Sequence, residues 1–479
     1  MAPKIDFTEA RLSTVLDGLI PLVDTPPVVS RALNLIVHAV AVPLDPPEDD
    51  PDADPQFRQL MMANEKRGSL YDRVGAFACS DDGKLWTGIA SEDVHWLVVN
   101  HEKKGQLGAG RPFVSPDGTG YACTQTVREG ESGYPKTRVS IGDQPGPAFQ
   151  TVEAAGFSAR GVFAYMAYDD GQYGVIVGGE PMGPYGDVAE LVWSPDGGRL
   201  AFVVGDPAKF ERSVVVDSKR GPSFLDVRGL RFSPDSTRLA YVTSEKEGER
   251  IVVDDRPGNR YSQCLPVQFS ADSRTVIGRV GIDKGWAVAV NDRPGKVYDE
   301  VGPPVFSSDA KTVAYGARRG EKWCVVIGEA ESEPGDHVYR VAVGEKAGVA
   351  YALLQGKSCV LIHNGREVYR NGPRPNHLAI SADGGSLAHS ESLDGKVRIV
   401  VNGDPGPSFP SVDKLRFAPD GRTPVYLAQE GEEQFIVVGR QKHGPMVPLT
   451  DPVFNEAGDK VALVARIGRE FWRKVLPVT

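Results

Sequence analysis

Arg231–Gln268 reads RFSPDSTRLAYVTSEKEGERIVVDDRPGNRYSQCLPVQ, and at Phe269 the same phrase begins again. An apolar or aromatic residue opens it, a Ser-Pro-Asp turn follows, and Leu239-Ala240-Tyr241-Val242 supplies a short apolar run. A charged, Gly-containing break precedes Ile251-Val252-Val253, and a Pro-Gly pair with an aromatic segment at Tyr261 closes the unit. The opening position recurs every 37 residues, at Phe232, Phe269, Phe306, Val343, Ile380, Phe417 and Phe454. Upstream it recurs with looser spacing at Cys79, Val114, Phe157 and Trp193, which makes eleven units. A repeat of this length is one supersecondary unit used many times.

The apolar runs within a unit are short, rich in Val, Ile, Tyr and Phe, and bounded by Gly, Pro, Asp and Asn, which is the signature of strands and turns. No unit holds a long stretch of helical period, so a helical solenoid is disfavoured. Four strands fit each unit, and four antiparallel strands in about 40 residues make a β-propeller blade. The sequence therefore predicts an all-β propeller of about eleven blades. Eleven exceeds the usual size of one ring, and the change to constant spacing at Phe232 predicts two rings, divided four and seven or five and six, with one large ring as the alternative. In Ser233-Pro234-Asp235 the Pro presets φ and the Asp can accept from the turn's own amides. Asp117, Asp196, Asp272, Asp309, Asp383 and Asp420 take the same part. Arg256-Pro257-Gly258, Arg293-Pro294-Gly295 and Asp404-Pro405-Gly406 are expected as hairpin turns with Gly at positive φ.

On these residues the phrase resembles the WD-repeat-like propeller repeat of the TolB type, found in many bacterial proteins. The match spans about residues 70 to 479 and is strongest at Trp193–Phe202, Phe232–Tyr241 and Phe306–Tyr315. It degrades at Phe157–Tyr165 and at Val343–Tyr351, where Gly344-Glu345-Lys346 replaces Ser-Pro-Asp. The resemblance implies a fold and an interaction role, and no reaction.

The rest of the chain is ordinary in composition, with 41% apolar and 25% charged residues among 479. A net charge of −10 and the lack of a basic, aromatic-interleaved run argue against a nucleic-acid partner. The five cysteines, Cys79, Cys123, Cys264, Cys324 and Cys359, form no Cys-x-x-Cys pair, so no zinc or redox site is expected. The first residues carry no secretory pattern and the apolar stretch Leu33–Leu44 is too short to span a bilayer. A cytoplasmic location without membrane insertion is the expectation. Residues 1–42 are predicted as two helices on the stripes Leu12, Val15, Leu16, Leu19, Ile20 and Val29, Leu33, Ile36, Val37, Val40. Those helices would pack on the propeller, dock a partner or self-associate. Residues 43–66 read as an acidic, Pro-rich linker, PLDPPEDDPDADP, with a short helix over Gln56–Lys66. Residues 67–479 are the propeller repeats, with an internal boundary near 229. Leu70–Val74 is expected to complete the last blade, which lacks an outer strand of its own.

The search for chemistry yields no catalytic set. There is no Gly-x-Ser-x-Gly elbow, Tyr351–Ser358 has Tyr where a phosphate loop needs its first Gly, and His101-Glu102 lacks a second His at helical spacing. His363, His377 and His389 show no ligand spacing. No catalytic residue, metal ligand or cofactor is assigned. Trp286, Trp323 and Phe471 share a column at the start of the third strand, with Trp96, Tyr173, Phe435 and Trp472 at or beside it. Trp96, Trp286, Trp323 and Trp472 are the candidate binding-face aromatics, with packing between blades as the other reading. The expected function is a non-catalytic scaffold or adaptor that meets a protein or peptide through propeller loops. A propeller enzyme or glycan binder with a site over a central channel is the alternative.

Overall fold

The computed structural model describes residues 3–16, 19–22, 24–44, 56–107, 110–128, 133–346 and 348–478. The described residues form twelve antiparallel sheets and no helix. In each sheet the first strand lies beside the second, the second beside the third and the third beside the fourth, which is the β-propeller blade. In chain order blades 1 to 12 start at Ile20, Arg73, Pro112, Thr151, Asp187, Asp226, Gln263, Glu300, His337, Leu378, Ser411 and Val447. All eleven repeat phrases fold as blades, and the count is one short because blade 1 lies where helices were expected.

Blade 6 shows why the phrase folds this way. Phe232 pairs with Leu239 across the first hairpin. The buried Ser233 between them is its hub: Oγ donates to Asp235 Oδ1 at 2.6 Å and accepts from the Arg238 amide at 3.0 Å. Asp235 Oδ1 then accepts from the Thr237 amide at 3.1 Å. These hydrogen bonds, first that from Ser233, hold the Asp235 carboxyl down to about 2. Asp117, Asp196, Asp272, Asp309, Asp383 and Asp420 accept from their own turn amides in the same way. Replacing the hub strands a buried amide, so Ser233→Ala is expected to cost about 1–3 kcal/mol. A urea midpoint indistinguishable from wild type would show that the hydroxyl does not organise the turn.

The Pro-Gly pairs do not make the expected hairpin turns. The positive φ values fall three residues earlier, at Asp254 and Asp255 and at Asn291 and Asp292. A two-residue hairpin wants φ > 0 at both central positions, which Asp and Asn tolerate and Pro cannot adopt. Asp254 gains a further bond there, its Oδ1 accepting from the Leu239 amide at 3.0 Å. Arg256–Tyr261 is instead the fourth strand, where Pro is tolerated because only one edge is paired. Gly258 in it serves close approach: a Cβ would lie 2.6 Å from the Asp292 carboxylate of blade 7.

Alternation along the strands gives each sheet two apolar faces, and the cores form where neighbouring sheets meet. Ala240, Val242 and Ile251 of blade 6 pack with Cys264, Val267 and Val280 of blade 7, while Ile277 and Val288 on the opposite face of blade 7 pack with Val313 and Tyr315 of blade 8. The chain divides into two compact units, residues 1–209 with 448–453 and 462–475, and residues 210–447 with 454–461 and 476–479. The change at Lys209/Phe210 falls inside the hairpin between the second and third strands of blade 5, so it separates no whole set of blades. The expected division into rings of four and seven or five and six is therefore not supported.

In the first unit, the expected N-terminal helices are strands. Ala10–Thr14 pairs antiparallel with Glu470–Pro477, and Val28–Val29 and Ile36–Pro43 belong to blade 1. The helical reading fails because a hub turn, Ser30 accepting from the Leu35 amide at 3.2 Å, interrupts the stripe and resets its phase. The outcome is burial: Leu12, Val15, Leu33, Ile36 and Val40 share one core with Leu60, Ala462 and Phe471. These residues, invoked for docking or self-association, are occupied in that core. Phe57–Ala63 is likewise the third strand of blade 1 rather than a short helix. The acidic residues 45–55 lie outside the described residues, and Leu44 donates its amide to the Gln56 carbonyl across their ends at 2.9 Å. Leu70 pairs with Leu60 inside blade 1, so the outer strand of the last blade comes from Ala10–Thr14 and not from Leu70–Val74.

Candidate recognition cavity

A first strand has a sheet partner on one side only, and in blades 8 to 12 its last residue is half-buried. In the second unit the first strands of blades 8 to 12 end on Phe306, Val343, Ile380, Phe417 and Phe454, and these five line one cavity of about 900 Å³. They are five of the seven positions in the 37-residue column of the repeat. Their turns are linked in series: Asp272 donates its amide to Ser308 O, Ser308 to Glu345 O and Lys346 to Ala382 O, at 3.2, 2.7 and 2.7 Å. The wall is thus held by main-chain bonds running from blade 7 to blade 10, which favours a preformed shape.

Charge enters at three places in the lining, Glu345, Lys346 and Arg416. The Arg416 guanidinium lies 5.0 Å from the centre of the Phe454 ring, a cation–π contact that fixes it against the wall. Lys346 adds to the field that keeps Asp383 below the usual carboxylate range, after the larger effects of Ser381 and the Gly385 amide. Aliphatic and aromatic walls with a few charges suit non-covalent recognition.

The four candidate tryptophans are half-buried and lie apart on four blades. Trp96 of blade 2 carries the Lys103 ammonium 4.9 Å from its ring centre, and Trp472 donates Nε1–H to Glu470 at 2.9 Å. Trp286 packs against the core between blades 7 and 8, and the Trp323 ring meets His337 edge-on at 5.9 Å. The structure gives each its own neighbours. The three histidines of blades 9 and 10 also have separate surroundings, with the His363 ring 3.0 Å from Gly384 O and the buried His389 3.4 Å from the Glu391 carboxylate. Sequence reasoning placed the binding signal in the Trp column and passed over the Phe column. The unvarying period of the latter was the available sign, because identical blades bring one position to one place.

Sheets of four strands in series, with an apolar cavity at their first strands, define a β-propeller with a candidate recognition site. No protein-family model and no curated protein matches this sequence. Among solved structures the chain is similar to one described as the crystal structure of the eukaryotic initiation factor, at 12% identity and a TM-score of 0.35 over 74% of this chain and 94% of that one. It is also similar to TolB from Acinetobacter baumannii, at 12% identity and a TM-score of 0.23 over 55% of this chain and 80% of that one. Neither similarity bears on function.

Proposed function

We propose that this protein is a non-catalytic interaction scaffold whose blade 8–12 cavity receives an apolar segment of a protein partner. The observation that supports it is the convergence of Phe306, Val343, Ile380, Phe417 and Phe454 on one cavity, with the turns of blades 7 to 10 linked through the main chain. Aromatic and aliphatic side chains held in fixed places lose little freedom on binding, which is what makes such walls effective anchors. A photo-crosslinking amino acid at Ala379, in the cavity lining, is expected to trap a discrete protein in host cells. The same probe at Leu393, 58% exposed on a hairpin, is the control and should trap none of it. Identical adducts at both positions, or none at Ala379, would remove the cavity from this role.

A further inference from the structure

The repeat places a tyrosine on the second strand of several blades, and its hydroxyl needs an acceptor when buried. In blade 6 Tyr241 donates to Asp255, the second residue of the turn between third and fourth strands, at 3.1 Å. In blade 11 the matching tyrosine is Tyr426 and the matching turn residue is Arg440, as Val438-Gly439-Arg440 stands where blade 6 has Val253-Asp254-Asp255. An acceptor has been exchanged for a cation. Tyr426 is 1% exposed, and among the described residues its hydroxyl has no hydrogen-bond partner.

The residue borders an opening. Tyr426 lines a cleft of about 360 Å³ between blades 10 and 11, opposite Gly406, where a Cβ would come within 3.8 Å of the phenol oxygen. Arg422 and Arg440 line the same cleft. Arg440 pairs with Asp404 at 2.5 Å and donates to the Pro405 carbonyl at 3.2 Å, and both charged side chains are largely exposed. Thr423 is committed elsewhere, its hydroxyl donating to Asp420 at 2.5 Å. Burial pushes the Tyr426 phenol up, so it remains a donor at any ordinary pH.

A buried donor without an acceptor, in a cleft lined also by Arg422 and Arg440, is complementary to an oxyanion. We propose that the blade 10–11 cleft binds a small phosphate- or carboxylate-bearing molecule, with Tyr426 and Arg440 donating to its anionic group and Arg422 supplying charge. The anion would replace Asp404 at Arg440, exchanging one carboxylate partner for another at an exposed pair whose own attraction is weak.

Titration calorimetry with inorganic phosphate and with succinate, at constant ionic strength set by chloride, tests this. Saturable binding of at least one, tighter than about 1 mM, is the expected result, and the better probe identifies the source. Arg440→Gln and Tyr426→Phe should each weaken it by about fivefold or more. Without anion, Tyr426→Phe should melt no lower than wild type, because it removes a hydroxyl that has nothing to bond. No saturable heat up to about 10 mM of either probe, or binding unchanged in both variants, would overturn the proposal. So would a marked fall in the melting temperature of Tyr426→Phe, which would reveal an acceptor already in place.

Discussion

A chain lacking residues 1–19 is expected to melt on the order of 10 °C below the full chain and to associate through the edge it exposes. Two losses combine. Leu12, Val15 and Leu19 leave the core they share with Ile36, Val40 and Phe471, and three buried aliphatic side chains are worth roughly 5 to 9 kcal/mol at about 1.5 to 3 each. The segment Glu470–Arg473 also loses its pairing with Ala10–Thr14, along with the buried Arg473 guanidinium's bonds to Thr8 O and Asp6. An uncovered third strand then presents free amides and carbonyls to any other chain. Light scattering and a thermal melt decide the matter together. A truncated protein that stays monomeric and melts within about 3 °C of the full chain would show that the terminal strand is dispensable.

Acid is expected to act on the same region through His38. Its ring is buried, with Nε2 2.9 Å from Ser13 Oγ, and the Ser13 hydroxyl donates to Asn64 O. With the hydroxyl hydrogen so directed, the ring donates from Nε2; a backbone hydrogen bond with Ala39 favours the charged ring but is outweighed by burial. Burial lowers the imidazole to about 4, against 6.5 for an ordinary one. In the unfolded chain His38 takes a proton near 6.5, whereas in the folded chain it resists until about 4. Stability from the neutral ring is therefore complete above pH 6.5 and is lost as the pH falls through 4. The difference amounts to about 3 kcal/mol. Burial also lowers His101 and His389, so wild type and His38→Gln must be compared across the same range. The fall in melting temperature between pH 7 and pH 4 should be smaller in His38→Gln by several degrees, about 3 kcal/mol spread over a large protein. Parallel curves for the two proteins would mean that His38 is not the acid-sensitive group.

The inner strands and first turns of blades 2 to 12 were legible because their rule is local, whereas pairs such as Pro257-Gly258 read as turns and lie in a strand. A Ser-Pro-Asp turn, an alternating run and a Val-rich run each act within a few residues, and they recur in phase. Blade 1 was not, for the same reason in reverse. Its hub is Ser30, which donates to Asn34 four residues on and has Ala32 at the position of Asp235, and its strands Ile36–Pro43 and Phe57–Ala63 are separated by an acidic insertion. Apolar residues at 29, 33, 36, 37 and 40 imitate a helical stripe when the turn goes unrecognised. The partner of Glu470–Pro477 could not be read either, since strand pairing between ends of a chain leaves no mark in spacing. As for the candidate cavity, its residues were all in view as the repeat's first column. What was missing was that the column stays half-buried in blades 8 to 12, whereas Phe232 and Phe269 of blades 6 and 7 are buried.

Arg11 and Glu470, hydrogen-bonded at 3.2 Å, stand 459 positions apart in the chain. Synthesis of the two is separated by those 459 residues, so Ala10–Thr14 passes through that interval without its mate. Through that interval Leu12 and Val15 have no completed core to enter, and the nascent protein carries an apolar strand in search of an edge. The slowest step in maturation should accordingly be this last pairing, a long-range contact made once, after every blade with local connections is already in place.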